Sequence, residues 1–403
     1  MNKLEEVLKK ILIVYDRMMT GGTTTALISM LNEFDYNKYD VDLLLFDGNG
    51  EFNYLIPEKV KVLEYAQISS RHLKLKKLLV SILNGDCFRI FKSYIKYKNT
   101  HKGNLRNIIY HYFSKNQVQL SRKITDKYDV AIGYIEGWSN HFVLSSKVNA
   151  DKIIIWVHPD YKASYLIPEV DKKAFDKATN IVLVSKKCLE SLCTCLPEYS
   201  HKAICIENVI SYNYIRKRAE ETNIEIRKDK LNVCTVCRCD IYVKGLDRMV
   251  NVLKMLNKEK YLENMHWHLI GDGPELPRLK KQAEEANLSE NITFYGQKNN
   301  PLPYLAQMDL FVLPSRYEGK PVSVDEAKAL NIPCLVTEYV SAREQVTDQI
   351  EGIVVENSEQ GLYEGIKAVI NDNTILAQMK KNLSERKKNK FSEMMKLYEI
   401  LGE

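Results

Sequence analysis

The sequence lacks any apolar run that approaches the ~18 residues of a membrane-spanning helix, so we expect no transmembrane segment. Its first residues include acidic side chains and only a short apolar run, which is not the pattern of a secretory signal peptide. We therefore expect the nine cysteines to be free thiols in a reducing cytoplasm. A net charge of +6 is too small to argue by itself for nucleic-acid binding.

Two ligand-binding motifs are also missing. A dinucleotide-binding fingerprint needs three glycines after a first strand, whereas the G-D-G triplet at 271–273 is followed by Pro274 and lies deep in the second half. No acidic D-x-D motif follows a predicted strand near the site described below, and the D-V-D triplet at 40–42 begins a strand in the other half. We therefore expect neither a dinucleotide cofactor nor a metal ion.

The chain divides into two halves that open alike. Its 403 residues, 45% hydrophobic and 27% charged, are typical of a globular protein of about two domains. Each half begins with an apolar strand, a glycine-containing loop and an amphipathic helix, which predicts an α/β protein with two Rossmann-like domains. We place these domains at 1–208 and 230–387, with a polar linker at 209–229 and a final helix at 388–403.

One stretch of the second half, residues 311–339, combines a strand, a loop, a helix and a further strand. The helical composition starts at Val322. Units of this kind bind ligands at the carboxyl ends of their strands, and a helix N-terminus favours phosphate. Two carboxylates, Glu318 and Glu326, frame this point, and carboxylates accept hydrogen bonds from paired hydroxyl groups. A site that binds phosphate between two groups that bind hydroxyls would fit a nucleotide sugar.

Glu318 and Glu326 lie in the pattern E-G-x-P-x4-E-A-x-A-x3-P, which resembles the E-x7-E signature of retaining glycosyltransferases of family four, of the bacterial polysaccharide and glycolipid assembly type. The flanking strand, Glu-Gly and Glu-Ala make this pattern more specific than two glutamates alone. The resemblance is close from 231 to 355 and looser before. It implies the GT-B fold, in which two Rossmann-like domains face each other across a cleft and a C-terminal helix returns to the first domain.

The resemblance also implies roles for individual residues. Glu318 would bind the sugar ring and Glu326 the ribose, while Arg238 and Lys244 would hold the donor diphosphate. His158 would lie near the donor sugar. The alternative interpretation is that His158 has a purely structural role. The expected catalytic residues are Glu318, His158, Arg238 and Lys244. The expected donor-binding residues are Glu326, Gly319, Lys320, Pro321, Val322, Ser323, Gln297, Gly271, Gly21 and Gly22. For Gly21 and Gly22 the alternative is a tight βα turn without a role in binding.

These features predict a retaining, metal-independent hexosyltransferase without a cofactor. We expect a UDP-sugar as donor and a glycan or lipid-linked molecule as acceptor, as in the synthesis of surface polysaccharides such as capsule. Two alternatives stay open: a GT-B sugar-nucleotide epimerase, and a catalytically silent sugar-nucleotide-binding partner of another transferase. A dinucleotide oxidoreductase is disfavoured because the third glycine is missing.

A basic segment at 71–115 carries eleven lysines and arginines but one acidic residue, Asp86, with aromatic side chains interleaved. It lies within a helical insertion, about 71–127, that has no counterpart in the family pattern. Three interpretations are open: a membrane-surface helix, the solvated face of an insertion, and a nucleic-acid surface. The resemblance favours peripheral binding to an anionic membrane surface on the cytoplasmic side, and we expect no nucleic-acid partner.

Three cysteines, Cys234, Cys237 and Cys239, have the spacing C-x2-C-x-C. A zinc or iron–sulfur site would need this spacing and a fourth ligand. The alternative, which we favour, is that these cysteines pack as small hydrophobic residues around a buried strand.

Overall fold

The computed structural model describes residues 8–64, 76, 79–100, 102, 104–372, 374–386 and 392–402. The chain forms two compact units, Met1–Val209 with Phe391–Glu403, and Ile210–Lys390. Each unit has its own parallel β-sheet, as expected of two Rossmann-like domains.

The first unit contains a seven-stranded sheet. Its strands are β1 (Lys9–Tyr15), β2 (Tyr39–Leu45), β3 (Lys61–Glu64), β4 (Lys127–Gly133), β5 (Asn149–Val157), β6 (Asn180–Leu183) and β7 (Ala203–Cys205). Their order in the sheet is β3-β2-β1-β4-β5-β6-β7. The helices of this part are α1 (Gly22–Glu33), α2 (Asp86–Tyr97), α3 (Leu105–Gln119), α4 (Trp138–Val143), α5 (Pro168–Phe175) and α6 (Lys186–Cys195).

The second unit contains a six-stranded sheet. Its strands are β8 (Leu231–Val236), β9 (Met265–Ile270), β10 (Ile292–Gly296), β11 (Leu310–Leu313), β12 (Cys334–Thr337) and β13 (Gly352–Val355). Their order is β10-β9-β8-β11-β12-β13. The helices are α7 (Tyr212–Ala219), α8 (Ile241–Lys244), α9 (Leu246–Lys258), α10 (Leu276–Glu285), α11 (Leu302–Leu305), α12 (Val322–Ala329), α13 (Ala342–Gln345), α14 (Glu359–Asn371) and α15 (Thr374–Glu385).

Short apolar runs form the central strands of both sheets. Ile11, Leu12, Ile13 and Val14 of β1 are consecutive and fully buried, so both faces of this strand are covered. The four residues of β11 are buried in the same way. Continuous rather than alternating hydrophobic strands are typical of parallel sheets that have layers packed on both faces.

Strand order reverses once in each sheet. The chain proceeds outward from β1 to β3 and then continues on the other side from β4, and the same reversal lies between β8 and β11. In open α/β sheets, ligands bind at the carboxyl ends of the strands beside such a reversal. Each unit therefore has one edge at which a ligand site is expected.

The last helix, α16 (Ser392–Leu401), belongs to the first unit. Its Tyr398 stacks on Tyr39 at 5.2 Å between ring centroids, and its hydroxyl accepts a hydrogen bond from the Asp35 N–H at 2.8 Å. Lys9 Nζ donates to the Leu401 carbonyl at 3.0 Å. The prediction that the final helix packs on the first domain is confirmed.

Three boundaries differ from the predicted ones. Residues 212–219, inside the predicted linker, form α7, whose Ile215 is fully buried in the second unit's core. The final helix predicted for 388–403 is α16, which is shorter, at 392–401. Of the predicted insertion at about 71–127, residues 71–75, 77, 78, 101 and 103 lie outside the described residues, and α2 and α3 form most of the rest.

None of the helices formed by the described residues is both long enough and apolar enough to cross a bilayer.

A backbone contact at Gly245 sets the position of the loop that follows β8. Gly245 ends α8 with a φ of +64°, in the left-handed region that favours glycine. A Cβ atom added there would lie 2.0 Å from the Pro314 carbonyl oxygen, at the end of β11. The loops that follow the two strands beside the reversal therefore touch through their backbones.

We predict that Gly245→Ala destabilises the second unit by more than Gly296→Ala does. Gly296 has nearly the same φ, +67°, but an added Cβ would meet no atom within 4 Å. Both substitutions should cost about 1–2 kcal/mol for the left-handed backbone, and Gly245→Ala should cost about 1–3 kcal/mol more for overlap. Urea unfolding of the two variants measures this difference, and equal costs would show that the contact with Pro314 is loose.

Candidate functional site

Three loops meet at the carboxyl ends of β8, β9 and β11 in the second unit. The turn after β9 begins at Gly271, whose φ is +143° and whose added Cβ would lie 1.8 Å from the Cys237 carbonyl oxygen. The Cys239 N–H donates to the Asp272 carbonyl at 2.9 Å, which ties the same turn to the loop after β8. The predicted loop residues of this half thus form one contiguous backbone surface.

An ion pair joins the loops that follow β8 and β11. Lys244 Nζ lies 2.6 Å from Glu318 Oε1, and Ser315 Oγ donates to the same oxygen at 2.7 Å. Both charged side chains are mostly buried, with 21% and 10% of their surface exposed. Burial alone would lower the pKa of Lys244, but the charge of Glu318 raises that pKa above its ordinary value, so the ammonium stays charged.

Arg316 and Asp247 hold the loop after β11 in place. The Arg316 guanidinium donates two hydrogen bonds to Asp247, at 2.9 and 2.8 Å, and a third to the Tyr242 carbonyl at 3.0 Å. A planar bidentate contact of this kind fixes geometry as well as charge. Sequence reasoning missed both residues, because neither belongs to a motif and they are far apart in the chain.

The N-terminus of α12 lies directly after this loop. Pro321 precedes the helix, and the N–H groups of Val322 and Ser323 belong to the first turn, which has no carbonyl acceptors within its own helix. Gln345 Nε2 donates to the Pro321 carbonyl at 2.8 Å, and Ser341 Oγ donates to the Gly319 carbonyl. These bonds hold the loop by its carbonyl groups, an arrangement that suits an anion at the helix start.

Glu326 is buried on α12, one turn from the helix start, and Lys320 is also buried. Burial is the main cause that raises the pKa of Glu326 from its ordinary 4.5 to about 7. The charge of Asp325 adds to this rise in pKa, and Arg218 opposes it. Near neutral pH, therefore, Glu326 exists in both protonation states.

Arg238 and Gln297 are exposed residues of the same sheet edge. Arg238 follows β8 and Gln297 follows β10. The structure therefore brings the predicted residues of the second unit to one edge of one sheet. Their roles toward a ligand stay predictions.

Gly21, Gly22 and His158 belong to the first unit. The two glycines lie between β1 and α1, and His158 follows β5. The His158 N–H donates to Glu136 Oε2 at 3.3 Å, and its Nδ1 lies 3.7 Å from the same oxygen. Within the described residues neither ring nitrogen of His158 has a hydrogen-bond partner. Glu136 was not among the predicted site residues, although it follows a predicted strand.

Among the described residues, one group of three side chains has the geometry for a metal ion: His111, His141 and Asp171. All three are buried in the first unit, and His111 Nε2 lies 3.0 Å from Asp171 Oδ1. Tyr161 donates to the other carboxylate oxygen at 2.7 Å. His141 Nε2 lies 3.6 Å from the same carboxylate oxygen as His111, without a hydrogen bond within the described residues. Burial lowers the pKa of His141 to about 4.

The three cysteines of the C-x2-C-x-C spacing do not converge among the described residues. Cys234 packs in one hydrophobic cluster of the second unit, and Cys239 packs in another. Burial raises the pKa of Cys239 to about 11. Packing, the favoured interpretation, accounts for these residues.

Comparison with known proteins finds one family match, which covers most of the second unit. Residues 217–390 match the family described as glycosyl transferases group 1. The chain is 25% identical over 235 residues to the N-acetylgalactosamine-N,N'-diacetylbacillosaminyl-diphospho-undecaprenol 4-alpha-N-acetylgalactosaminyltransferase of Campylobacter jejuni, with 56% of each protein covered. It is 27% identical over 370 residues to an uncharacterized glycosyltransferase of Haemophilus influenzae, with 89% of each covered.

Among solved structures, the Anabaena protein HepE in complex with UDP and glucose matches with a TM-score of 0.68 at 16% identity, over 98% of this chain and 99% of that one. At this identity the likeness shows the fold, and it confirms the predicted GT-B fold. The Campylobacter enzyme is matched over about half of its length. The family match and the named relatives confirm the predicted resemblance to bacterial polysaccharide glycosyltransferases.

The buried carboxyl group of Glu326 generates a prediction about stability. Its folded pKa of about 7 is above the ordinary 4.5, so the folded protein binds more protons than the unfolded chain between these values. The contribution of this group to stability therefore falls as pH rises from 4.5 to 7, by up to about 3 kcal/mol. We predict that Glu326→Gln is more stable than the wild type at pH 8 by an amount that vanishes near pH 5.

Urea unfolding of both proteins at pH 5, 6, 7 and 8 measures this difference. Glu356→Gln in the same unit, at an exposed position, serves as the control and should show no such trend. A difference between Glu326→Gln and the wild type that stays constant with pH would contradict the raised pKa.

Proposed function

We propose, from the match of residues 217–390 to the family described as glycosyl transferases group 1, that this chain moves a sugar from a nucleotide-diphosphate donor to a glycan or lipid-linked acceptor. The observation that carries the proposal is the Lys244–Glu318 pair beside the N-terminus of α12. A cation and free N–H groups suit a diphosphate, and a carboxylate next to them suits sugar hydroxyls. Surface polysaccharide synthesis is the process in which we place this transfer.

The donor in this proposal is a UDP-sugar. HepE of Anabaena, which shares the fold, was crystallised with UDP and glucose. Arg238 and Lys244 stabilise the leaving diphosphate as its negative charge grows, together with the N–H groups of Val322 and Ser323. Glu326 binds the ribose hydroxyls and Glu318 the hydroxyls of the sugar.

The transfer is retaining and needs no metal ion in this proposal. The bond between the sugar and the diphosphate breaks, and the acceptor oxygen attacks from the same face. Its proton passes to the leaving phosphate oxygen, so no protein nucleophile is required. Arg238 and Lys244 provide the positive charge that a metal ion would otherwise supply.

We predict that Glu318→Gln and Glu326→Ala separate catalysis from binding. Glu318→Gln should reduce turnover on the order of 100-fold and change donor affinity little, because its contact strengthens as the sugar becomes positively charged. Glu326→Ala should weaken UDP-sugar binding about tenfold and change saturated turnover little. Calorimetry and single-turnover hydrolysis of a panel of nucleotide sugars measure these effects.

The same assays distinguish the alternatives. EDTA should leave the rate unchanged, and a loss of activity that Mn²⁺ restores would contradict the metal-free mechanism. Formation of an epimer of the donor sugar would favour the epimerase. Donor binding without turnover of any kind would favour a silent partner. Unaltered activity in both glutamate variants would show that these carboxylates are not the site.

The exposed surface of helix α2 supports a further part of the proposal, namely binding to a membrane surface. The polarity of this helix is inverted, because its polar residues face the protein and its apolar residues face outward. Asp86 and Ser93 face the protein and bond to α3: Asn116 Nδ2 donates to Asp86 at 2.8 Å. The opposite face exposes Phe88, Phe91 and Ile95, with 72%, 60% and 50% of their surface accessible. A helix with apolar residues outward and basic residues beside them is typical of a membrane-surface helix. We therefore propose that α2 lies on anionic lipid at the cytoplasmic membrane face.

We predict that the protein sediments with anionic vesicles and that replacing the outward residues abolishes this binding. Phe88→Gln with Phe91→Gln removes apolar burial, and Lys92→Gln removes a cation worth about 1 kcal/mol near an anionic surface. The matched control is Ile350→Gln, which replaces an exposed apolar residue in the other unit. High salt should weaken binding, and neutral vesicles should bind little. Equal sedimentation of wild type and variants would show that α2 is only a solvated face.

A further inference from the structure

Three buried polar side chains of the first unit meet between three helices. His111 lies on α3, His141 on α4 and Asp171 on α5, and each is at most 4% exposed. Their potential ligand atoms all lie within 4.8 Å of one another. Polar groups are buried this deeply when they are paired with one another or when they bind a metal ion. One of these two arrangements therefore has to account for the cluster.

Hydrogen bonding within the cluster accounts for only part of its polar atoms. His111 Nε2 lies 3.0 Å from Asp171 Oδ1, but His141 Nε2 lies 3.6 Å from the same oxygen, which is too far for a hydrogen bond. Within the described residues, neither His141 Nε2 nor His111 Nδ1 has a hydrogen-bond partner. A buried polar atom without a partner costs free energy. Pairing within the cluster therefore leaves one of the two imidazole nitrogens near the carboxylate unsatisfied.

The distances within the cluster suit a metal ion bound between the three groups. Zinc bonds to histidine nitrogen at ~2.0–2.1 Å and to carboxylate oxygen at ~2.0–2.2 Å, so neighbouring ligand atoms of a tetrahedral site are roughly 3.3 Å apart. The observed separations of 3.0 Å and 3.6 Å lie on either side of this value. The remaining separation, between the two imidazole nitrogens, is at most 4.8 Å and shortens by rotation of the side chains when an ion binds.

The types of ligand favour Zn²⁺. Imidazole nitrogen suits zinc, copper, iron and nickel, whereas magnesium and calcium prefer sets of oxygen ligands. Zinc is bound by about four ligands and has no geometric preference from its d electrons. The two histidines and the aspartate supply three of these ligands, and one water molecule completes the set. Tyr161 donates to the other oxygen of Asp171 at 2.7 Å, and hydrogen bonds of this kind commonly orient the carboxylates that bind metal ions.

We infer that His111, His141 and Asp171 together bind one Zn²⁺ ion, which ties α3, α4 and α5 to one another. Tyr161 acts as a positioning residue, since its hydroxyl holds the carboxylate. These residues belong to the first unit, whereas the residues proposed to stabilise the diphosphate belong to the second. The ion is therefore structural and takes no part in the proposed transfer. Sequence reasoning predicted no metal ion, because ligands from three separate helices form no local spacing motif.

Titration of Co²⁺ and then Zn²⁺ into the full chain, purified without a histidine tag and stripped with a chelator, tests the inference. The wild type should bind one Co²⁺ and show the visible absorption bands of a site with nitrogen and oxygen ligands. The spectrum should lack the charge-transfer band that binding to any of the nine cysteines would produce. Zn²⁺ should displace Co²⁺ and abolish the visible bands, because its d shell is filled.

Substitutions in the cluster should lower Zn²⁺ affinity in a graded way. His141→Gln and His111→Gln each remove a ligand and should cost at least ~100-fold, whereas Tyr161→Phe removes an outer partner and should cost about tenfold. His268→Gln is the matched control. His268 and His266 form another close histidine pair, with 4.7 Å between ring centroids, but both ring nitrogens of His268 are hydrogen-bonded, to Tyr295 and Asn232. This substitution should leave Zn²⁺ affinity unchanged.

Unfolding by urea supplies a second measurement. Zn²⁺ should raise the urea midpoint of the wild type and leave that of His141→Gln unchanged, because an ion that binds only the folded protein stabilises it. Circular dichroism establishes which variants are folded, and His111→Gln or Tyr161→Phe replaces His141→Gln if that variant does not fold. Three results would overturn the inference: no binding of either ion at micromolar concentration, a cobalt spectrum with only the thiolate band, or equal Zn²⁺ affinity in the wild type and the folded cluster variants.

Discussion

The backbone contact between Gly245 and Pro314 is the constraint on which the second unit's site depends. Because no side chain separates the two loops, Lys244 and Glu318 come within 2.6 Å across the sheet reversal. Arg316 strengthens the same junction by bonding to Asp247. The site is therefore preorganised by backbone packing and by a charge network, and neither depends on a bound ligand.

The two glutamates of the E-x7-E pattern show how position decides the chemistry of one residue type. Glu318 faces an ammonium group and a hydroxyl, and both donate hydrogen bonds to its carboxylate. Glu326 lies on the buried side of α12, where burial raises its pKa to about 7. Eight residues apart in sequence, the two carboxyl groups thus have different surroundings. A pair with divergent environments is common at functional sites.

Much of the fold was predictable because parallel strands buried on both faces are short, continuous apolar runs, such as residues 11–15 and 310–313. The sheet edge that holds Lys244, Glu318 and Arg238 followed from the same runs and from the family resemblance. The partners Ser315, Arg316 and Asp247 were not predictable, because contacts between distant loops leave no local pattern. The outward orientation of the apolar face of α2 was also not predictable. Hydrophobic periodicity identifies an apolar face of a helix but does not show whether that face points to the core or to solvent.

The placement of α16 makes the second unit an insertion within the first. Tyr398 stacks on Tyr39 and its hydroxyl bonds to Asp35, yet residues 210–390 are synthesised between them. At ~5–20 residues per second, these roughly 180 residues take on the order of 10–40 s to emerge. During this time α16 has not yet been synthesised, so the aromatic surface around Phe34 and Tyr39 lacks its contact with Tyr398. The second unit can fold in the same interval. A nascent chain of this protein presents a chaperone with a defined target: the docking place of its own last helix.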